Sequence, residues 1–333
     1  MEANKVLLLS SVDILNLCSM REAIEAVREA FILTSENRVE VPRRIHLDVP
    51  QSKGTCLVMP SYLPDREKIG VKIINLYEEN PGKGLPFSHA LMLVFEASTG
   101  QPLGIMEAST LTALRTGAAC GLATKLLSRT ESMKMALFGA GFQARFQLEA
   151  VAAVRSLEEV LVFDQDRKRA EQFAAQMSDK LGLKIRVADS ASKAVAEADI
   201  ISTATTSKVP VLADKDLKPG VHINAIGSYK PAEREIPSET VARARVFVDK
   251  KDMALEEAGD LIIPIKEGVF SAEKIVAEIG EVASGKKPGR LSSEEITFFK
   301  TVGVAAQDVV LSSRVLKMAL EKGAGQEFDF SRG

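Results

Sequence analysis

The chain has 333 residues, of which 46% are hydrophobic and 26% charged, with a net charge of −2 at neutral pH. That length exceeds what one ordinary core accommodates, so two domains are expected. The balanced charge and the lack of a basic block exclude nucleic acid and acidic membrane surfaces as expected partners. The longest early apolar run, Val6 to Leu9, is too short for a signal or membrane segment. Cys18, Cys56 and Cys120 are few, odd in number and far apart, which fits a reducing, cytoplasmic setting better than a disulfide framework. His46, His89 and His222 have no metal-ligand spacing, and no metal is expected.

In chain order, residues 19–35 read as an amphipathic helix. Ser19 and Glu22 form a capping box, and Ile24, Val27, Ala30 and Phe31 follow at helical spacing. The runs "TCLVMPSYL", "KIGVKIINLY", "HALMLVFEAS" and "PLGIMEA", broken by glycine and proline, predict a mostly antiparallel sheet of short strands. A long helix rich in small residues starts at Ser109. From Lys134 the pattern becomes strand–helix alternation, with helices over 142–155, 167–181 and 190–198. Its strands are "MALF", "EVLVFD", "KIRVAD", "DIISTAT", "HINAIG" and "RVFVD". That rhythm predicts an α/β fold with a doubly wound parallel sheet. Helices are predicted over 271–284, 292–299 and 303–321; the last helices lie outside the alternating region and are expected to return and pack on the N-terminal domain.

The turn "GAGFQA", Gly139 to Ala144, has the G-x-G-x-x-A form of a dinucleotide fingerprint. Gly139 permits the tight turn, Gly141 lets backbone approach a pyrophosphate, and Ala144 lets the helix sit close to the strand. Ala140 and Gln143 complete the turn, and the next strand ends in Asp164, an acid able to accept from the ribose hydroxyls. Asp164 favours NAD; Arg167 nearby could instead pair with the 2′-phosphate of NADP. Thr203 and Thr205 end one strand, and Ile226, Gly227 and Ser228 follow another, where a doubly wound sheet meets its ligand.

Three basic residues precede the glycine turn. Lys72 lies within the apolar strand "GVKIINL", where alternation puts it on one face with Ile74 and Leu76. A cation is costly there unless it meets a partner or a cavity. Arg44, in "VPRRIHL", and Arg115, in "LTALRTGAA", offer forks suited to a carboxylate. A lysine desolvated beside two arginines would have a lowered pKa and could exchange protons near neutrality. The alternative is that all three are edge charges with snorkelling stems.

Together, "VPRR", "LVMPSYL", "GVKIINLY", "STGQPLGIMEASTLTALRTGAACGLATKLL", "FGAGFQA", "INAIGS", "AGDLIIPIKEGVF" and "EITFFKTVGVAAQDVV" resemble the ornithine cyclodeaminase/μ-crystallin family over nearly the whole chain. The resemblance implies a homodimer. It also implies a Rossmann-type NAD(P) domain over 119–304, and an α+β substrate and dimerisation domain from 1–118 and 305–333. It implies that Arg44, Lys72 and Arg115 meet the substrate carboxylate or the cofactor phosphate, with Lys72 the proton-transfer group. Thr112, Thr116 and Thr301 would face the cofactor, and Val302 the substrate. After "INAIG", cyclodeaminases of the family carry an aspartate followed by Pro-Gly-Lys. Here Tyr229 stands at the aspartate position and Glu233 at the lysine position. A phenol offers no carboxylate to a distal ammonium.

The expected function is therefore hydride transfer between NAD(H) and a small imino or amino acid. Ketimine reduction, as of pyrroline-2-carboxylate, and alanine dehydrogenase-like interconversion with a 2-oxo acid are the expected forms. Phe87, Ser88 and Tyr229 are candidate pocket walls. Two alternatives are a cyclodeaminase in which Glu233 replaces the missing acid, and a non-catalytic protein that binds NAD(P)H and a small ligand.

Overall fold

The computed structural model describes residues 5–330, which form two compact units. The first comprises residues up to Arg115 together with those from Val304 onward, and the second runs from Thr116 to Gly303. Among the described residues no helix is long and apolar enough to cross a membrane.

In the first unit, β1 (Lys5–Leu9), α1 (Ser11–Leu17) and α2 (Met20–Ser35) are followed by β2 (Ile45–Val49), β3 (Gly54–Leu63), β4 (Lys68–Tyr77), β5 (Ser88–Glu96) and β6 (Pro102–Glu107). The helix α3 (Ala108–Leu127) then carries the chain into the second unit. There, β7 (Lys134–Phe138), α4 (Phe142–Val154), β8 (Glu159–Phe163), α5 (Arg167–Leu181), β9 (Ile185–Val187), α6 (Ala191–Ala196), β10 (Ile200–Thr203) and β11 (His222–Ala225) alternate. They lead to α7 (Ser238–Arg243), β12 (Arg245–Val248), α8 (Lys251–Glu257), α9 (Gly259–Lys266), β13 (Ile275–Glu278), α10 (Ile279–Ala283) and β14 (Thr297–Lys300). The chain closes in the first unit with α11 (Ala305–Lys322) and β15 (Gln326–Asp329).

The sheet of the first unit has the order β15-β1-β6-β5-β4-β3-β2 and is antiparallel except where β1 meets β6. Its central strands β3 and β4 have ten residues each; β4 coincides with the run "KIGVKIINLY" and β3 adds Gly54 to "TCLVMPSYL". One face carries a buried row, Met59, Lys72, Met92 and Met106, in register across four strands. Against this face lies α11: a Cβ added at Gly70 would sit 2.9 Å from Val309, and one at Gly104 would sit 3.0 Å from Leu316. The opposite face presents the row Ile45, Val58, Ile73 and Leu91. Leu93 and Ile105 pair beside it. Ile45 and Leu91 are 60% and 52% exposed and Val58 and Ile73 half-buried, so among the described residues this apolar row is open at both ends.

The capping box predicted at Ser19 is present: its hydroxyl accepts from Glu22 N, and Glu22 Oε2 accepts from Ser19 N. Ser10 and Asp13 repeat the device on α1.

The second unit is the doubly wound domain, with eight parallel strands ordered β13-β12-β14-β11-β10-β7-β8-β9. Two predicted helices are overturned here. Residues 292–299 contribute β14, a fully buried strand between β11 and β12. Residues 271–284 contribute a short turn, then β13 and α10. A buried parallel strand is apolar on both faces and lacks the alternation that distinguishes a strand from a short helix. Hence only α11, of the three predicted tail helices, belongs to the first unit.

Candidate active site

The register of the central parallel strands brings four loops together at one edge of the second unit. Phe138, Thr203, Ala225 and Lys300 form one row, each the last residue of its strand. The segments beginning at Gly139, Ala204, Ile226 and Thr301 therefore leave the sheet side by side at its carboxyl edge, where such folds bind ligands.

Gly139 has φ +92°, and a Cβ there would meet Ala204 O at 2.6 Å. Gly141 caps α4 without a side-chain bond, and nothing lies within 4 Å of where its Cβ would be. An uncapped helix start beneath open glycine backbone suits the pyrophosphate of a dinucleotide. Ala144 is buried at the start of α4, and Gln143 is half-buried. Asp164 accepts from Ala140 N at 2.8 Å and from Asp166 N at 2.9 Å. Burial opposes its ionisation, but those bonds and the ion pair to Arg169 at 2.6 Å hold its carboxyl below the usual range. Arg169, rather than Arg167, is thus the cation on this acid. Arg167 is exposed and pairs with Glu171 and Asp189.

The loops beyond the row are held from behind by buried carboxylates that the sequence reading missed. Glu235 Oε2 accepts from Thr203 Oγ1 at 2.8 Å and Gly227 N at 2.7 Å; its Oε1 accepts from Thr205 N at 2.8 Å and Thr205 Oγ1 at 2.7 Å. Burial pushes the Glu235 carboxyl up, helped by nearby Asp260 and opposed by Lys300. Lys300 donates to Ser228 O at 2.5 Å and pairs with Asp260. Asp249 Oδ2 accepts from Thr301 Oγ1 at 2.6 Å, Val302 N at 2.8 Å and Gly303 N at 2.7 Å. The hydroxyls of Thr203 and Thr301 are therefore committed to these carboxylates, and Ile226 follows β11 on a loop pinned at Gly227. Thr116 is buried where α3 enters this unit. Tyr229 is half-buried with Lys230 Nζ 5.8 Å above its ring, and the Glu233 carboxylate faces Lys208 and Lys230.

The first unit gathers the basic residues. Lys72 Nζ lies 2.8 Å from Asp308 Oδ2, both side chains being 1% exposed. Arg115 Nε is 3.4 Å from Asp308 Oδ1, and Arg115 Nη1 donates to Gln307 Oε1 at 3.2 Å. Gln307 Oε1 also accepts from Val304 N at 3.0 Å, which caps α11. Arg44 is half-buried at the entry to β2, and its charge acts on Lys72. Phe87 and Ser88, at the start of β5, are half-buried. Among the described residues, Thr112 Oγ1 and Gln307 Nε2 are buried without a hydrogen-bond partner in the protein, and Arg115 Nε and Asp308 Oδ1 have only their mutual ion pair. Such atoms are costly singly and mark a ligand site when they cluster. Burial drives Lys72 down to about 8; Asp308 opposes this, and Arg115 and Arg44 add to it. An ammonium poised there can give or take a proton near neutral pH.

The sequence profile of the ornithine cyclodeaminase/mu-crystallin family matches residues 4–323. The chain belongs to that family. A Δ1-pyrroline-2-carboxylate reductase of Bacillus cereus is 38% identical over 326 residues, 98% of this chain and all of that protein. The structure of Thermococcus litoralis Δ1-pyrroline-2-carboxylate reductase in complex with NADH and L-proline superposes with a TM-score of 0.94 at 44% identity, covering 96% of this chain and 99% of the other. An archaeal alanine dehydrogenase dimer with bound NAD superposes with a TM-score of 0.91 at 37% identity, covering 98% and 99%. The expected family and the Rossmann-type α/β fold are thus both borne out.

Proposed function

We propose that the chain is an NAD(H)-dependent oxidoreductase that reduces a small cyclic ketimine carboxylate, of the pyrroline-2-carboxylate type, to the corresponding amino acid. The observation that carries this reading is the buried Lys72–Asp308 pair beside Arg115, in a cluster of buried charges within the first unit. Arg115 and Arg44 supply guanidinium forks for the substrate carboxylate, which fixes the α-carbon and the imine nitrogen. Lys72 donates the proton that makes the C=N bond a better hydride acceptor. The turn from Gly139 to Ala144, Asp164 and the loops at Thr205 and Gly227 would hold NADH, which supplies the hydride when bound. The similarity to reductases of this specificity supports the choice of substrate.

Cyclodeamination fits less well. Tyr229 offers no carboxylate, and Glu233 is already engaged by two lysines. The alanine dehydrogenase relative keeps pyruvate with ammonia as a second substrate pair to assay. The outward sheet face through Ile45, Ile73 and Leu91 provides the apolar surface for a homodimer. The test is steady-state NADH oxidation with pyrroline-2-carboxylate, and separately with pyruvate plus ammonia. The reading predicts turnover on the cyclic imine; turnover only on ornithine, with no net NADH change, would replace it with cyclodeamination.

A further inference from the structure

In the first unit one buried carboxylate faces two cationic side chains. Asp308, in the first turn of α11, reaches Lys72 Nζ with Oδ2 at 2.8 Å and lies 3.4 Å from Arg115 Nε with Oδ1. Arg44, at the entry to β2, adds its charge to Lys72. The stem of Lys72 is walled by Met59 and Met92, its register partners on β3 and β5. Both are buried, so no solvent reaches the ammonium along the sheet. Among the described residues, Asp308 is the carboxylate paired with Lys72. Every other influence on Lys72, from burial and from both guanidiniums, favours the neutral amine.

We propose that Asp308 is the positioning residue of the proton-transfer step, setting both the direction and the proton affinity of the Lys72 ammonium. The proposal rests on the ketimine reductase reading. One of the three N–H bonds of Lys72 is fixed on Asp308 Oδ2, so the other two point away from α11, toward the substrate. In the reductive direction an N–H bond of Lys72 breaks and an N–H bond forms on the imine nitrogen, while a hydride from NADH reduces the α-carbon. The oxidised product of that hydride donor is NAD⁺, and Lys72 is left a neutral amine that must regain its proton through the emptied substrate site before the next turnover. Without the Asp308 charge, Lys72 would hold its proton only at lower pH. Reduction would then begin to fall within the neutral range although every substrate contact remained.

The experiment uses the full chain and the variants Asp308→Asn and Asp308→Glu. The first readout is the NMR titration of the Lys72 side chain in 13C-lysine-labelled protein, its signal assigned by its loss in Lys72→Arg. The expected midpoint is about 8 in the parent. It should fall by about one unit or more in Asp308→Asn and recover most of that in Asp308→Glu. The second readout is the pH profile of kcat/KM in both directions. In Asp308→Asn the alkaline fall of imine reduction and the acid fall of proline oxidation should both move to lower pH by the same interval. A merely structural role would lower rates at every pH and move neither limb. A Lys72 midpoint unchanged in Asp308→Asn overturns the proposal. If the parent reduces no ketimine at all, the functional reading fails separately, and the titration still decides the part played by Asp308.

Discussion

Lys300 Nζ lies 2.8 Å from Asp260 Oδ2 in the second unit, with both side chains fully buried. Asp260 Oδ1 also accepts the backbone amides of Glu235 and Ile236, at 2.7 and 2.9 Å. The pair thus ties the end of β14 to the segment that carries Glu235. Removing one member leaves the other charge buried and uncompensated, which costs about 3–5 kcal/mol. Lys300→Met should lower the stability of the second unit by that order, read as a lower denaturant midpoint. Asp260→Asn added to Lys300→Met should recover part of the loss, because it removes the stranded charge while an amide oxygen still accepts both backbone bonds. A double variant no more stable than Lys300→Met would show that the charge itself is not the source of the cost.

Lys72 gives a pH signature with a definite sign. Its pKa is lowered to about 8, chiefly by burial. Imine reduction needs the ammonium, so its kcat/KM should hold below pH 8 and fall above it. Proline oxidation needs the amine and should rise through the same point. Lys72→Met keeps the apolar stem and removes the donor. It should reduce turnover by about 10²–10⁴-fold, the range of general acid catalysis, with NADH affinity, measured by fluorescence, little changed. A variant that kept parental turnover would remove Lys72 from the chemistry.

Lys72 was legible in the sequence because a strand alternates with period two, and a lysine on an apolar face breaks that pattern visibly. Its partner was not. Asp308 is 236 residues away along the chain, and an acid in the first turn of a helix has an ordinary local explanation in the helix dipole. The glycine turn and Asp164 were legible because their chemistry lies within one strand–turn–helix–strand unit. Glu235, in "PAERE", reads as one more surface charge; its four donors come from Thr203, Thr205 and Gly227, and tertiary structure alone brings them together. β14 was misread because "TFFK" is short and buried on both faces, which leaves no periodicity to separate strand from helix. The helix at 305–322 was found because its pattern is long.

Cofactor choice turns on Asp164 and Arg169. On the proposed reading the acid would accept from a ribose hydroxyl pair and would repel a 2′-phosphate, while Arg169 is held on it at 2.6 Å. Asp164→Ser should release Arg169 toward the phosphate. Loss of charge-assisted hydrogen bonds of about 1.5–3 kcal/mol predicts a fall of about 10–100-fold in kcat/KM for NADH. The value for NADPH should rise, and Arg169→Ala in the Asp164→Ser background should cancel that gain. Arg167→Ala should leave the NADPH value of Asp164→Ser unchanged, since Arg167 is engaged by Glu171 and Asp189.

The apolar sheet face yields the last prediction. Ile45, Val58, Ile73 and Leu91 stand in one register row across β2 to β5, with Leu93 and Ile105 adjacent. A contiguous apolar face of this kind is uncommon on a monomer and marks an interface, and a two-fold dimer would set the same row against itself. Charges placed there would face their own symmetry mates, so Ile73→Glu with Leu91→Glu should dissociate the dimer. Analytical ultracentrifugation should read twice the chain mass for the parent and the chain mass for the variant. The Lys72 row lies on the other face of the same strands, so the folded variant should retain its far-UV circular dichroism. A variant that sediments unchanged would mean that this face is not the contact between copies.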